Sequence, residues 1–206
     1  MLESTNGHPT TPREEKRRRI LRAAIDVFAR KGYFTARMTD VAAEAGVADG
    51  TLYLYFEGKE DLLLNIFDHV LGHFVEEVEH RIQGIDDPVE KLRMLVRMHL
   101  ESLNADPHLA QVLQIEIRHS RHFLSLFTRG KLGTYLNVLR GIIEEGQRLG
   151  RFRSDISPGL VTNVVFGAVD EFVMSWLLQD GTSDLVRFVD PLMTLLIEGL
   201  GATENT

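Results

Sequence analysis

Apolar residues recur at intervals of three and four along most of the chain. Ile20, Leu21, Ala24, Ile25, Val27 and Phe28 form one stripe, the spacing of an amphipathic helix. Thr11, Pro12 and Glu14 precede it as a capping box with proline at the first helical position, and Gly32 follows it as a stop, so a helix over about 13–31 is predicted. Residues 1–12 are expected to be a disordered tail. Leu62, Leu63, Ile66, Phe67, Val70, Leu71, Phe74, Val75 and Val78 make a second, longer stripe and predict a helix over 59–83. Further on, Asp87-Pro88-Val89-Glu90, Asp106-Pro107 and Ser157-Pro158 each set a capping residue before a proline. They predict helices at about 88–104, 107–118, 122–149, 158–180 and 184–199, the last kinked or divided by Pro191. Alternating strand patterns do not compete, and the expected fold class is all-α.

Between the first two stripes, residues 38–59 carry two short helical patterns about a sharp turn. Thr39 is placed to cap a helix over 40–45 with Val41 and Ala42 inward, Gly46 supplies the left-handed residue that ends it, and Val47 plugs the corner. A second helix, about 48–55, follows at the spacing of a helix-turn-helix. It opens on the small residues Ala48, Asp49, Gly50 and Thr51, which allow close backbone approach to another surface. Tyr53, Tyr55 and Lys59 add donors suited to phosphate oxygens. The alternative is a plain helical hairpin whose tyrosines cover a core.

The formal net charge of −7 argues against nucleic acid until its distribution is considered. Residues 13–60 carry ten Lys/Arg against eight Asp/Glu, while residues 61–206 carry thirteen against twenty-one. The basic excess therefore sits with the helix-turn-helix, and an acidic body would help to orient it on DNA. Arg17, Arg18 and Arg19 are either a solvated face or phosphate contacts. The absence of cysteine excludes disulfides, thiolate metal sites and cysteine nucleophiles. An N-terminus without an apolar core and the lack of an uncharged apolar run of about 18–20 residues lead us to expect a cytoplasmic protein with no membrane partner.

Thr39, Ala45-Gly46-Val47, Gly50-Thr51-Leu52-Tyr53, Tyr55-Phe56 and Lys59-Glu60-Asp61-Leu62 resemble the signature of TetR-type transcriptional repressors. The resemblance implies a three-helix DNA-binding head over 13–58 and an effector-binding and dimerisation body over 59–206, joined by the linker helix at 59–83. It implies DNA contacts from Arg37, Thr39, Asp49, Gly50, Thr51, Tyr53, Tyr55 and Lys59. Ala48 departs from the family pattern, which has Ser or Thr there, so the second helix lacks a side-chain N-cap and Asp49 compensates through the helix dipole.

In the body, Val161, Val164, Val165, Phe166, Val169, Phe172, Val173, Trp176 and Leu177, then Leu192, Leu195, Leu196 and Ile197, are apolar around most of a helix and must be covered. A second copy is the simplest cover, and the resemblance likewise implies a homodimer through the last two helices, about 158–199. Trp176 is expected to pack rather than to hold ligand. Asp170 and Glu171, and Gln114, Glu116, Arg118 and His119, interrupt apolar helices. They are either an ion-paired core, with Arg118 pairing with Glu116 or Asp170, or the polar lining of an effector pocket. His69 with His73, and Glu116 with His119 and His122, are weak metal candidates, and no metal or cofactor is expected. Without a GxSxG elbow, P-loop, GxGxxG or kinase motif, no enzymatic function is expected.

GVADGTLYLYFEGKEDLL, LAQVLQIEIRHS, TYLNVLRGIIEEG and FGAVDEFVMSWLL resemble, more narrowly, the fatty-acid-degradation repressors of the TetR family, over roughly residues 13–200. This implies release from operator DNA by long-chain acyl-CoA; a TetR-type repressor answering a hydrophobic drug or another amphiphile, and a helical ligand-binding protein that does not bind DNA, are the alternatives. Such a ligand needs an apolar tunnel with cations at its mouth. Leu103, Leu113, Ile117, Phe123, Phe127, Tyr135, Phe166 and Val169 are candidates for the tunnel, although they would serve equally well as core. Arg118, Arg121, Arg129, Lys131, Arg148, Arg151 and Arg153 are candidates for the phosphates.

Overall fold

A computed structural model describes residues 11–115, 130–179 and 181–200, and every regular element among them is helical. Helix α1 (Pro12–Lys31) opens on the expected capping box. The Glu14 N–H donates to Thr11 Oγ1 at 3.2 Å, and the Thr11 N–H donates to the Glu14 carboxylate at 2.7 Å. Its stripe from Ile20 to Phe28 is buried, and Gly32, at φ +74°, ends it.

Helix α2 (Met38–Ala45) starts before Thr39 and corrects the expected cap: Arg37 is the N-cap residue, and Thr39 is an exposed residue of the first turn. Asp40 makes this possible, because its carboxylate accepts from the Arg37 backbone N–H at 2.9 Å and takes the Lys31 ammonium at 2.8 Å on its other oxygen. Both interactions hold the Asp40 pKa below the usual range, the lysine first. Helix α3 is only Asp49–Leu52, shorter than the predicted 48–55. Beyond it the N–H groups of Leu54 and Tyr55 bond three residues back, to Thr51 and Leu52, and this tighter turn carries Phe56 into the core.

Helix α4 (Lys59–Ile82), α5 (Pro88–Asn104), α6 (Pro107–Gln114), α7 (Lys131–Arg148), α8 (Pro158–Gln179), a 3-10 turn (Val186–Phe188) and α9 (Val189–Leu200) follow. The predicted bounds of 88–104 are met. The predicted ends at 118 and start at 122 fall on residues outside the described ones. The break expected at Pro191 instead precedes it: the 3-10 turn separates α8 from α9, and Pro191 occupies the first turn of α9, where proline costs no helical hydrogen bond.

The described residues pack into two compact units, one reaching Phe74 and taking in those between His108 and Lys131, the other containing the rest. The division by packing thus lies beyond residue 58. Leu62, Leu63, Ile66, Phe67 and Val70 of α4 and Leu109 and Val112 of α6 share one core with α1 and α2. In the second unit, Leu92, Leu95, Val96 and Leu100 of α5, Leu139 and Ile143 of α7, Val165, Val169 and Val173 of α8 and Met193 of α9 are buried. The Trp176 indole N–H donates to the Ser183 carbonyl at 2.8 Å, so Trp176 is a packing residue. By length and composition α8 is apolar enough to cross a bilayer, but Asp170 and Glu171 stand at its middle and one face is covered by its own unit.

Candidate nucleic-acid interface

The corner between α2 and α3 is a Schellman turn. Gly46 sits at φ 63°, ψ 43°, its N–H reaches the Ala43 carbonyl at 3.2 Å, and the Val47 N–H reaches Ala42 at 3.0 Å. Val47 packs against the head's core, as its corner position requires. Ala48 makes no side-chain cap, leaving the first turn of α3 with Asp49, Gly50 and a half-buried Thr51 at its surface. A Cβ added at Gly50 would meet nothing within 4 Å, and the residue does not have positive φ. Neither packing nor backbone conformation explains this glycine, which leaves room for an outside surface.

Around this turn the head exposes Tyr53 (58%), Leu54 (74%) and Phe34 (66%). Tyr55 is half-buried, with the Arg13 guanidinium 5.8 Å from its ring centroid. Arg37 projects from the N-cap of α2 as an exposed cation. Of the basic run in α1, Arg17 is committed inward: it donates to Asn65 Oδ1 of α4 at 2.5 Å and stacks over Phe56. Lys59 does not project outward as expected. Its ammonium donates to the carbonyls of Tyr33, Phe34 and Ala36, lies over the Tyr33 ring, and has its pKa lowered by burial. Arg22 with Asp26, Arg30 with Glu44 and Lys31 with Asp40 are paired, so three of the eight acids of residues 13–60 face the head's own cations.

Two family models cover this chain: "Bacterial regulatory proteins, tetR family" over residues 20–66 and "YsiA-like protein, C-terminal region" over residues 67–199. The protein belongs to the TetR family of transcriptional regulators. Among its relatives, the fatty acid metabolism regulator protein of Bacillus subtilis (strain 168) is 37% identical over 88% of this chain and 93% of its own length. The solved fatty acid degradation regulator FadR from Bacillus halodurans superposes with a TM-score of 0.88 at 37% identity, covering 95% of this chain and 100% of the other. FadR from Bacillus subtilis in complex with stearoyl-CoA superposes at 0.85 with 36% identity, covering 88% of this chain and 98% of the other.

The candidate effector residues of this TetR-family chain are only partly brought together. Ile117, Phe123, Phe127, Arg118, Arg121 and Arg129 lie outside the described residues, as do the expected pairings of Arg118 and the metal candidates Glu116, His119 and His122. Leu113 packs against the head's core and Lys131 lays its stem over Gly72 in the same unit. Leu103, Tyr135, Phe166 and Val169 belong to the second unit. There Tyr135 and Phe166 meet edge to face at 5.8 Å, and Tyr135 Oη lies 3.2 Å from Nδ1 of His99.

Sequence reasoning missed His99, although it occupies the α5 stripe between Leu95, Val96 and Leu103, where an apolar residue belongs. Burial pushes its pKa down to about 4 and raises that of Tyr135; Asp170 favours the protonated form of both groups. Asp170 is thus felt by this buried pair, whereas its neighbour Glu171 is exposed. Of the remaining cations, Arg151 bridges Asp87 at 3.1 Å, Arg153 bridges Asp155 at 2.6 Å, and Arg148 is exposed. His69 and His73 meet edge to face at 4.6 Å, and among the described residues no three His, Asp or Glu are grouped to hold a metal.

Proposed function

We propose that this TetR-family regulator is a cytoplasmic homodimeric repressor of fatty acid degradation genes that leaves a palindromic operator when it binds long-chain acyl-CoA. The carrying observation is the 36% identity, over 88% of this chain, to the Bacillus subtilis regulator solved with stearoyl-CoA. Arg37, Gly50 and Thr51 read base edges, and Thr39, Tyr53 and Tyr55 with Arg13 hold the phosphates. Asp49 sets the dipole end of α3, and Lys59 acts by shaping the loop that delivers Arg37. Two heads enter successive major grooves about 34–36 Å apart.

The dimer forms through α8 and α9. Support comes from Leu160, Val164, Gly167, Glu171 and Leu178, which share one exposed face of α8 at three-, four- and seven-residue spacing, and from the exposed Leu195 of α9. In the second unit Leu103, Tyr135, Phe166 and Val169 are the proposed lining for the acyl chain; Leu113, Ile117, Phe123 and Phe127 for the chain, and Arg118, Arg121, Arg129, Lys131, Arg148 and Arg151 for the phosphates, are the further candidates. Ligand acts only through its differential affinity for the two arrangements of the heads. A gel-shift titration on the DNA upstream of the protein's own gene tests this: release by stearoyl-CoA and not by free CoA is expected, and no release would remove the effector assignment.

A further inference from the structure

Two hydrogen bonds tie α6 to α1, each between residues 82 apart in sequence. His108 Nδ1 lies 2.8 Å from Asp26 Oδ1, and Asp26 also takes the Arg22 guanidinium, Nε to Oδ2 at 3.1 Å. One turn along α6, the Gln111 side-chain N–H donates to the Ala29 carbonyl at 2.8 Å. Ala29 is among the last four residues of α1, whose carbonyls a helix does not fully satisfy by itself. From there the chain runs through residues 32–37 to Arg37, and Lys59 of α4 grips the same stretch by the carbonyls of Tyr33, Phe34 and Ala36. The loop that delivers Arg37 and starts α2 is therefore held by α4 directly and by α6 through the end of α1.

These α6 contacts are not what keeps the helix in place. Leu109, Ala110 and Val112 are fully buried and supply the adhesion. The His108–Asp26 pair is on the rim, with side-chain exposures of 45% and 22%, where an ion pair adds little stability. What the polar pair sets is the rotation and register of α6 on α1, because hydrogen bonds weaken steeply once they lengthen or tilt, whereas an apolar contact slides.

We propose that His108–Asp26 and Gln111–Ala29 are a latch that transmits the effector signal to the DNA-reading head. The inference rests on the effector reading above, since α6 leads directly into the segment that holds six of the fourteen proposed effector residues. Binding that turns or shifts α6 by about 1 Å breaks both bonds, frees the end of α1 and lets the loop carrying Arg37 leave its DNA-competent position. Closed, the latch favours operator binding.

The test compares wild type with His108→Ala/Gln111→Met, and with Gln111→Met alone should the double variant unfold. Operator affinity without ligand should fall about five- to tenfold, and the further loss caused by saturating stearoyl-CoA should shrink below about twofold. Stearoyl-CoA binding without DNA should be retained. A variant still released by the full wild-type factor overturns the latch. If wild type itself is not released by stearoyl-CoA, the effector reading fails instead. The latch is then judged by amide hydrogen exchange of residues 32–37, expected to be faster in the variant; unchanged exchange there overturns it.

Discussion

The Lys59 ammonium lies 2.7 Å from the Tyr33 carbonyl oxygen, with those of Ala36 and Phe34 at 2.9 and 3.2 Å. One cation thereby closes the loop between α1 and α2 from the start of α4. Lys59→Met keeps most of the bulk and removes all three bonds, so the unfolding free energy should drop by about 1–3 kcal/mol and operator binding should weaken with it. A lysine serving only as a phosphate contact behaves differently. It would leave the urea midpoint alone and lower the slope of log affinity against log salt by about one. That second pattern would remove the clamp.

Gly50 is free of contacts that a methyl group would disturb. Gly50→Ala should therefore raise stability by about 0.5–1 kcal/mol through helix propensity. The same methyl should weaken operator binding, and Gly50→Leu should weaken it further, since both push the backbone of α3 away from the base edges. Equal affinity for all three proteins in a fluorescence anisotropy titration would mean that the start of α3 does not approach DNA closely.

The head was legible because its signals are local. Thr11 and Glu14 are three residues apart, Gly46 ends its own helix, and Ile20 to Phe28 repeat at helical spacing, so each could be recognised without knowing what lies opposite. The misreadings come from competition between neighbours: Thr39 has the hydroxyl of a cap, but Asp40 two residues beyond the actual start satisfies the Arg37 N–H and moves the boundary. Partners distant in sequence were not legible. His99 and Tyr135 are 36 residues apart, His108 and Asp26 82 apart, and nothing in local periodicity pairs them. The phosphate candidates show the same limit, for Arg151 and Arg153 are drawn into ion pairs with Asp87 and Asp155 that spacing alone does not reveal.

Gly146 of α7 faces the buried Phe152 so closely that a Cβ would stand 2.0 Å from its ring. The contact follows from the Schellman turn at Gly150, where the Arg151 N–H returns to the Gly146 carbonyl at 2.8 Å and folds Phe152 back over the helix. Gly146→Ala should gain up to about 1 kcal/mol in propensity and lose about 1–3 kcal/mol to overpacking, a net fall in the melting temperature. Adding Phe152→Leu to that variant should recover part of the loss; no coupling between the two substitutions would contradict the clash.

His99 carries a sign that can be worked out. Its pKa is about 4 in the folded protein and 6.5 as the ordinary value, because burial disfavours the imidazolium. Between those values the unfolded chain binds a proton that the folded chain refuses, so stability is full above about pH 6.5 and declines as the pH falls towards 4. From pH 7 to 5 the expected loss from this residue is about 2 kcal/mol. His69, shifted in the same direction, is present in both proteins when wild type is compared with His99→Leu. The variant should be less stable at pH 7, having lost the Tyr135 bond, yet flatter with pH in urea titrations. Equal pH slopes would show that His99 does not titrate out of step with the unfolded chain.

The exposed face of α8 bears on assembly. Leu160 is 55% exposed, Val164 54% and Leu178 76%, and Leu195 of α9 is 70% exposed. Large apolar side chains at repeated helical spacing on an exposed face are expensive to leave in water, at about 25 cal/mol per Å² of apolar surface, and a second copy covers them without any new residue type. Val164→Arg places a charge in the middle of that face without touching the buried Val165 or Val169. It should convert a dimer at micromolar concentration into a monomer by sedimentation velocity, with the melting temperature of the monomer unit lowered only in so far as dimerisation raised it. Operator binding should fall by at least about tenfold, since two heads no longer bind as one. A Val164→Arg protein that remains dimeric would move the interface away from α8.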